Sequence, residues 1–170
     1  AELINAHLLK KQQQGDYPFT PARQLQANNH LPMVQEQGNT WRAMHYIADS
    51  YTVEYVETPA QAAQVATAFG QFSSALSDFS TQQLNEIIEN FHHLDSRIAQ
   101  LQQAVNTDPV NRVSLCHPLV EYCLSQQEFI TRVANLVQSL PVRVTHNDTK
   151  IDNLLFSKST DKPIAVIDLD

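Results

Sequence analysis

Near its end the chain carries Val144-Thr145-His146-Asn147-Asp148-Thr149-Lys150-Ile151-Asp152-Asn153-Leu154-Leu155-Phe156 and then Ala165-Val166-Ile167-Asp168-Leu169-Asp170. Two apolar runs, Asn153–Phe156 and Ile164–Ile167, flank a Ser/Thr/Asp/Lys turn, the pattern of two short strands joined as a hairpin. Acidic and amide side chains adjoin each run where a strand begins or ends. The hairpin therefore comes with a loaded loop ahead of it, and Val142–Val144 reads as a further strand leading into that loop.

The loop reads H-x-D-x-x-x-x-N and is followed by a strand, a turn, a second strand and an Asp. This is the order of kinase catalytic segments, with the kinase spacing between Asp148 and Asn153. Phosphoryl transfer needs a carboxylate that takes the acceptor hydroxyl's proton and orients its oxygen, and Asp148 stands where that group belongs. It also needs hard oxygen ligands for magnesium, which Asn153 and Asp168 would supply as an amide oxygen and a carboxylate. Lys150 is placed to offset charge on the transferred phosphoryl group. His146 is expected to hold the loop's shape by hydrogen bonding. Taken alone, the short pattern is also compatible with an incidental polar turn, and it is the flanking strands that weigh against that.

The triplet His146-Asn147-Asp148 with Asn153, and Ile167-Asp168-Leu169-Asp170 in place of D-F-G, resembles the aminoglycoside phosphotransferase and choline kinase superfamily. The longer string from Arg143 to Asp170 is closer still to the N-acetylhexosamine kinases, in which H-N-D-T-K replaces the commoner H-G-D. Thr40-Trp41-Arg42, Ala68-Phe69-Gly70-Gln71-Phe72, Asn90-Phe91-His92 and Asp108 with Asn111-Arg112 look like family positions in the same order. The resemblance implies an ATP- and Mg2+-dependent kinase whose acceptor is a small-molecule sugar, the anomeric hydroxyl of an N-acetylhexosamine. It also implies that Tyr46, Ile47 and Asp49 lie at the hinge that holds the adenine, and that Asp170 either binds metal or stands behind a metal ligand. A choline or aminoglycoside acceptor, or a catalytically silent kinase-like binding domain, are the alternatives.

The 170 residues hold 11 Lys and Arg against 18 Asp and Glu, a net charge of −7 without a long run of either sign. A nucleic-acid partner is disfavoured, since phosphate binding calls for a basic stripe. No apolar run approaches a membrane span, and no basic-then-apolar signal segment opens the chain, so a cytoplasmic protein is expected. Cys116 and Cys123 stand two helical turns apart, too far for a disulfide, and are expected as reduced core residues. The only glycines are Gly15, Gly38 and Gly70. No glycine-rich phosphate loop is present, so the nucleotide-anchoring strands and the last helices are expected outside this stretch.

Along the chain, Glu2–Gln14 reads as a helix closed by Lys10-Lys11 and Gly15. Arg23–Ala27, Leu31–Gln35 and Thr40–Ile47 read as an antiparallel meander, with Trp41 packed into it. Thr58 and Pro59 open a helix whose apolar face includes Phe69 and Phe72, and a close helix contact is expected at Gly70. A shorter helix is expected over Leu84–Phe91, one capped by Asp95 from Ser96 to about Val105, and a long one from about Pro118 to Leu140. Its buried side would include Leu119, Cys123, Phe129, Ile130, Leu136 and Leu140. The expected fold is α+β and protein-kinase-like. Residues 1–48 form a partial small β lobe, and residues 49–170 a mainly helical lobe with a catalytic β-hairpin, its loop at 146–153 and its metal-binding strand end at 164–170.

Overall fold

The computed structural model describes residues 1–85 and 88–169. The chain divides into two compact units, Ala1–Gln83 with the stretch from Arg143 onward, and Leu84–Val142.

The first unit opens with α1, Glu2–Gln14, which ends as its sequence dictates. Gly15 takes the left-handed conformation (φ 84) and its N–H bonds the Gln12 carbonyl, while the Asp16 N–H reaches Lys11 O at 2.9 Å. That six-to-one closure needs a residue free of a Cβ clash. Beyond it Tyr17 and Phe19 are buried edge to face, with centroids 5.3 Å apart. The α1 side chains His7 and Lys11 both reach Asp78, at 3.1 and 2.8 Å.

Two residues in positive φ, Gln37 (50) and Gly38 (78), turn β1, Val34–Glu36, into β2, Asn39–Trp41. Their positive φ values suit the right-handed twist of a tight hairpin. The chain pairs again through Leu25 N–H to Ala43 O and His45 N–H to Arg23 O. The expected meander is thus reduced to three-residue strands and one isolated bridge, Gln24 with Met44. Every residue of β1 and β2 is exposed, Trp41 at 62 % against the packed position expected of it, and strands with no buried face are weakly held in register.

The sheet that matters has three antiparallel strands in the order β3, Ser50–Tyr51; β4, Leu154–Ser157; and β5, Pro163–Val166. Leu154 faces Val166 and Leu155 faces Ala165; a bulge then pairs Phe156 with Pro163. The expected hairpin is present with each strand displaced by one residue. The expected strand Val142–Val144 is extended chain outside any ladder, although Val144 is buried. Helix α2, Pro59–Ala75, packs on β5. Thr58 Oγ1 accepts the Gln61 N–H at 3.1 Å, and Pro59 opens the first turn, where its missing N–H costs nothing. Ala68, Phe69, Phe72, Ala75 and Leu76 meet Leu154, Phe156, Ala165 and Val166 in the core of this unit. Gly70 faces open space, so no close helix contact explains it.

In the second unit α3, Leu94–Thr107, packs with α4, Val113–Leu124, and α5, Gln127–Ser139. Helix α3 starts before Asp95, which sits in its first turn and is no cap. The single long helix expected from Pro118 to Leu140 is two, broken at Ser125-Gln126. There the Gln126 N–H bonds Cys123 O and the Ser125 hydroxyl bonds Tyr122 O, tightening the last turn of α4. Pro118 inside α4 lacks the N–H that would continue the ladder, and the backbone departs from helix at Cys116 (φ −130, ψ 20). Of the buried side expected for this stretch only Ile130 is buried; Leu119, Phe129, Leu136 and Leu140 are exposed, as is Cys116. The helix expected over Leu84–Phe91 lies partly outside the described residues, at Glu86 and Ile87. No helix among the described residues is long and apolar enough to cross a membrane.

Two measurements check this packing. Thr58→Ala should lower stability by about 1 kcal/mol in urea unfolding, since one N-terminal donor of α2 loses its acceptor. Burial raises the Tyr17 phenol above its ordinary 10.0. The folded state then keeps a proton that the unfolded chain releases, so stability is intact below pH 10.0 and falls as pH rises beyond it. Tyr17→Phe should remove that alkaline loss, read as the slope of unfolding free energy against pH.

Candidate active site

Both ends of the 146–153 loop are tied to one peptide at the exit of β5. The Ile167 N–H bonds Asn153 O at 3.0 Å, extending the ladder by one rung beyond Leu154 and Val166. The Ile167 carbonyl lies 2.7 Å from His146 Nε2. A carbonyl only accepts, so Nε2 is the donor in this bond. Nδ1 is buried without a hydrogen-bond partner, and the ring stands edge-on to Phe69 and Phe72 at 5.3 and 5.8 Å. The imidazole is a brace between the core and the loop.

The loop then turns through Asn147 at φ 64, a left-handed position that asparagine tolerates, while its Oδ1 accepts the Thr145 hydroxyl at 2.6 Å. Ile151 and Leu154 anchor the far end in the core, and a single 3₁₀ turn, Ile151–Asn153, sets Asn153 behind Asp148. Asn153 is 5 % exposed, and its Nδ2 donates to both the Asp148 carbonyl (2.9 Å) and Asp148 Oδ2 (3.1 Å). The amide's protons are thereby spent on Asp148, which leaves Oδ1 as its oxygen for another partner.

Lys150 Nζ lies 3.5 Å from Asp148 Oδ2 and 3.5 Å from Asp152 Oδ2. The two carboxylates, Asp148 first, raise its pKa. Asp152 was not singled out in the sequence; its signal is the alternation Asp148-x-Lys150-x-Asp152, acid, base, acid across one turn. Asp168 follows the clamped Ile167 peptide, exposed, with φ 63. Asp170 lies outside the described residues.

His146, Asp148, Lys150 and Asn153 are thus brought together, and Asp168 is the residue that follows Ile167, whose peptide holds both ends of the loop. Tyr46, Ile47 and Asp49 are not part of that group. Tyr46 is 82 % exposed, the Ile47 carbonyl accepts the Ser50 hydroxyl, and Asp49, at φ 55, bonds Ser157 and the Lys158 N–H. Asp49 stands at the opposite end of β4 from Asn153, ~13 Å away at the rise of an extended strand.

Among the described residues no three His, Cys, Asp or Glu side chains converge as a metal cage. The donor set of Asn153 Oδ1 and the Asp168 carboxylate nevertheless fits magnesium, which takes hard oxygens, typically one or two protein ligands with the rest from water and phosphate.

The crystal structure of an aminoglycoside phosphotransferase from Alicyclobacillus acidocaldarius subsp. acidocaldarius DSM 446 is similar in fold, with a TM-score of 0.55 at 19 % identity. The match covers 98 % of this chain and 52 % of that one, so the chain spans about half the length of the protein it resembles. The fold, mixed helix and small antiparallel sheets, is that of an aminoglycoside phosphotransferase. The phosphotransferase enzyme family, APH, matches residues 22–170, which covers the sheet, the loop and the Asp168 segment. This chain belongs to the phosphotransferase enzyme family.

Proposed function

We propose that this chain is the part of a small-molecule kinase that carries the transfer site, using ATP and Mg2+ to phosphorylate the anomeric hydroxyl of an N-acetylhexosamine. The observation that carries the reading is the fork from Asn153 Nδ2 to the carbonyl and carboxylate of Asp148. One buried amide fixes the proposed base through its two protons and keeps its own oxygen for another partner, as a base and a metal ligand sharing one loop require.

In this reading Asp148 takes the acceptor hydroxyl's proton. Its Oδ2 is already engaged by Asn153 and Lys150, which leaves Oδ1 for the hydroxyl. Lys150 swings from Asp148 toward the phosphoryl group and offsets its charge, with Asp152 as its resting partner. His146 holds the loop against β5 and transfers no proton. Asn153 Oδ1 and the Asp168 carboxylate hold the magnesium, which when bound neutralises charge on the phosphates. Asp170 joins them as ligand or support. Tyr46, Ile47 and Asp49 sit at the adenine end, a strand's length away, and residues 1–48 belong to the nucleotide lobe and 49–170 to the helical lobe. The acceptor assignment rests on the H-N-D-T-K string and its resemblance to the N-acetylhexosamine kinases, and a cytoplasmic location goes with it.

ADP release by the whole kinase with Mg-ATP should be seen with N-acetylglucosamine or N-acetylgalactosamine and not with choline or an aminoglycoside, and the 170-residue chain alone should be inactive; turnover with choline or an aminoglycoside instead would move the acceptor class. Asp148→Asn should lower kcat by roughly 10²–10⁴-fold with the nucleotide dissociation constant nearly unchanged. A near-normal rate would remove Asp148 as the base. Asn153→Ala should cost about 1–3 kcal/mol in urea unfolding, because the Asp148 carbonyl and carboxylate both lose their donor.

A further inference from the structure

Two polar residues buried in the first unit, Asn153 and Ser157, stand at the two ends of β4, Asn153 just before it and Ser157, 6 % exposed, as its last residue. A buried hydroxyl costs free energy unless it is paired, so its partners show what it does. The Ser159 N–H donates to Ser157 Oγ at 3.2 Å, and Ser157 Oγ donates to Asp49 Oδ2 at 3.3 Å. An ionised carboxylate only accepts, so the one Ser157 proton serves Asp49, and the Ser159 hydroxyl, 2.8 Å away, is the donor to Ser157.

Asp49 is held a second time, since its carbonyl accepts the Lys158 N–H at 2.9 Å. Its φ of 55 turns the chain into β3, where Ser50 faces Ser157 and Tyr51 faces Phe156. Tyr51 adds two further ties at this end: its ring packs on Phe156 with centroids 5.9 Å apart, and its hydroxyl donates to Asp161 Oδ1 at 3.0 Å. A two-residue strand brings too few ladder bonds to fix its own register, so the side chains fix it.

The ends of β4 are thus built alike. At one, the buried Asn153 amide holds Asp148; at the other, the buried Ser157 hydroxyl holds Asp49. Between them Leu154 and Phe156 pin the strand in the core. We propose that Ser157 is a positioning residue for the nucleotide: through Asp49 it fastens the adenine end of the site to the same strand that carries the transfer loop. The inference rests on the reading of Tyr46, Ile47 and Asp49 as the adenine end. A nucleotide held at its base presents its terminal phosphate at a reach set by its own bonds, so the base anchor and Asp148 must keep their separation. One strand in a packed core keeps it, and Ser157 acts without touching the nucleotide.

The test compares the whole wild-type kinase with Ser157→Ala, by titration calorimetry, using adenosine as the probe of the base end and inorganic triphosphate with Mg2+ as the probe of the phosphate end. Ser157→Ala should weaken adenosine about tenfold and leave triphosphate unchanged. KM for ATP should rise by the same factor while KM for the acceptor stays, a split that a general loss of stability does not give. Tyr51→Phe cuts only the exposed bond to Asp161 and keeps the test open should Ser157→Ala not fold; it should weaken adenosine about twofold and spare triphosphate. In the wild type, adenosine should shift the backbone amide signals of Tyr46, Ile47 and Asp49 in 1H–15N spectra. Signals there that do not respond overturn the adenine-end reading and this inference with it. Signals that respond, with wild-type adenosine affinity in the folded variants or an equal loss for triphosphate, overturn the role of Ser157 and leave the adenine end where it is.

Discussion

The arrangement depends on one peptide group. Ile167 gives its N–H to Asn153 and its carbonyl to His146, so the two ends of an eight-residue polar loop are fastened to the same rung beyond β5. Each bond contributes only about 1 kcal/mol net, but neither can be lost cheaply where the groups are shielded from water. The register of β4 against β5 therefore sets the loop. A slip of one residue would turn Leu154 and Phe156 out of the core and carry Asn153 away from Asp148. Packing thus determines where the polar groups stand: Phe69 and Phe72 press on the imidazole, the imidazole holds Ile167, and Ile167 holds the loop.

What was legible in the sequence was what is decided locally. Gly15 after a basic last turn and Thr58-Pro59 before an apolar period mark helix ends through groups a few residues away, and both boundaries stand where those residues put them. The hairpin was legible for the same reason. The break at Ser125-Gln126 was not, because the apolar period runs through it and only the backbone bonds at the end of α4 show the interruption. The meander over 23–47 failed differently: with no buried face, its apolar residues had nothing to pack against and pairing was reduced to short pieces.

The site divides along similar lines. His146, Asp148 and Asn153 are close in sequence, and a short loop brings them together almost unavoidably. Asp152 was passed over because a second acid beside a lysine looks like an ordinary solvated turn. The two units differ in what they bury. The first has a core of aromatic and aliphatic side chains from α1, α2 and the sheet, while in the second a single side chain, Ile130, is buried among the described residues of three helices.

Asn147 and Asp168 both hold left-handed backbone, at φ 64 and 63. Glycine enters that region freely, and asparagine and aspartate at less cost than most other residues. One lies inside the loop and the other just past the peptide that clamps it, so at both points the backbone favours a short list of residues whatever the chemistry asks. At 168 the proposed chemistry narrows it to one letter. At 147 the left-handed backbone admits glycine as readily as asparagine, which gives a steric reason why H-N-D can stand where H-G-D is commoner, while asparagine adds the acceptor for the Thr145 hydroxyl.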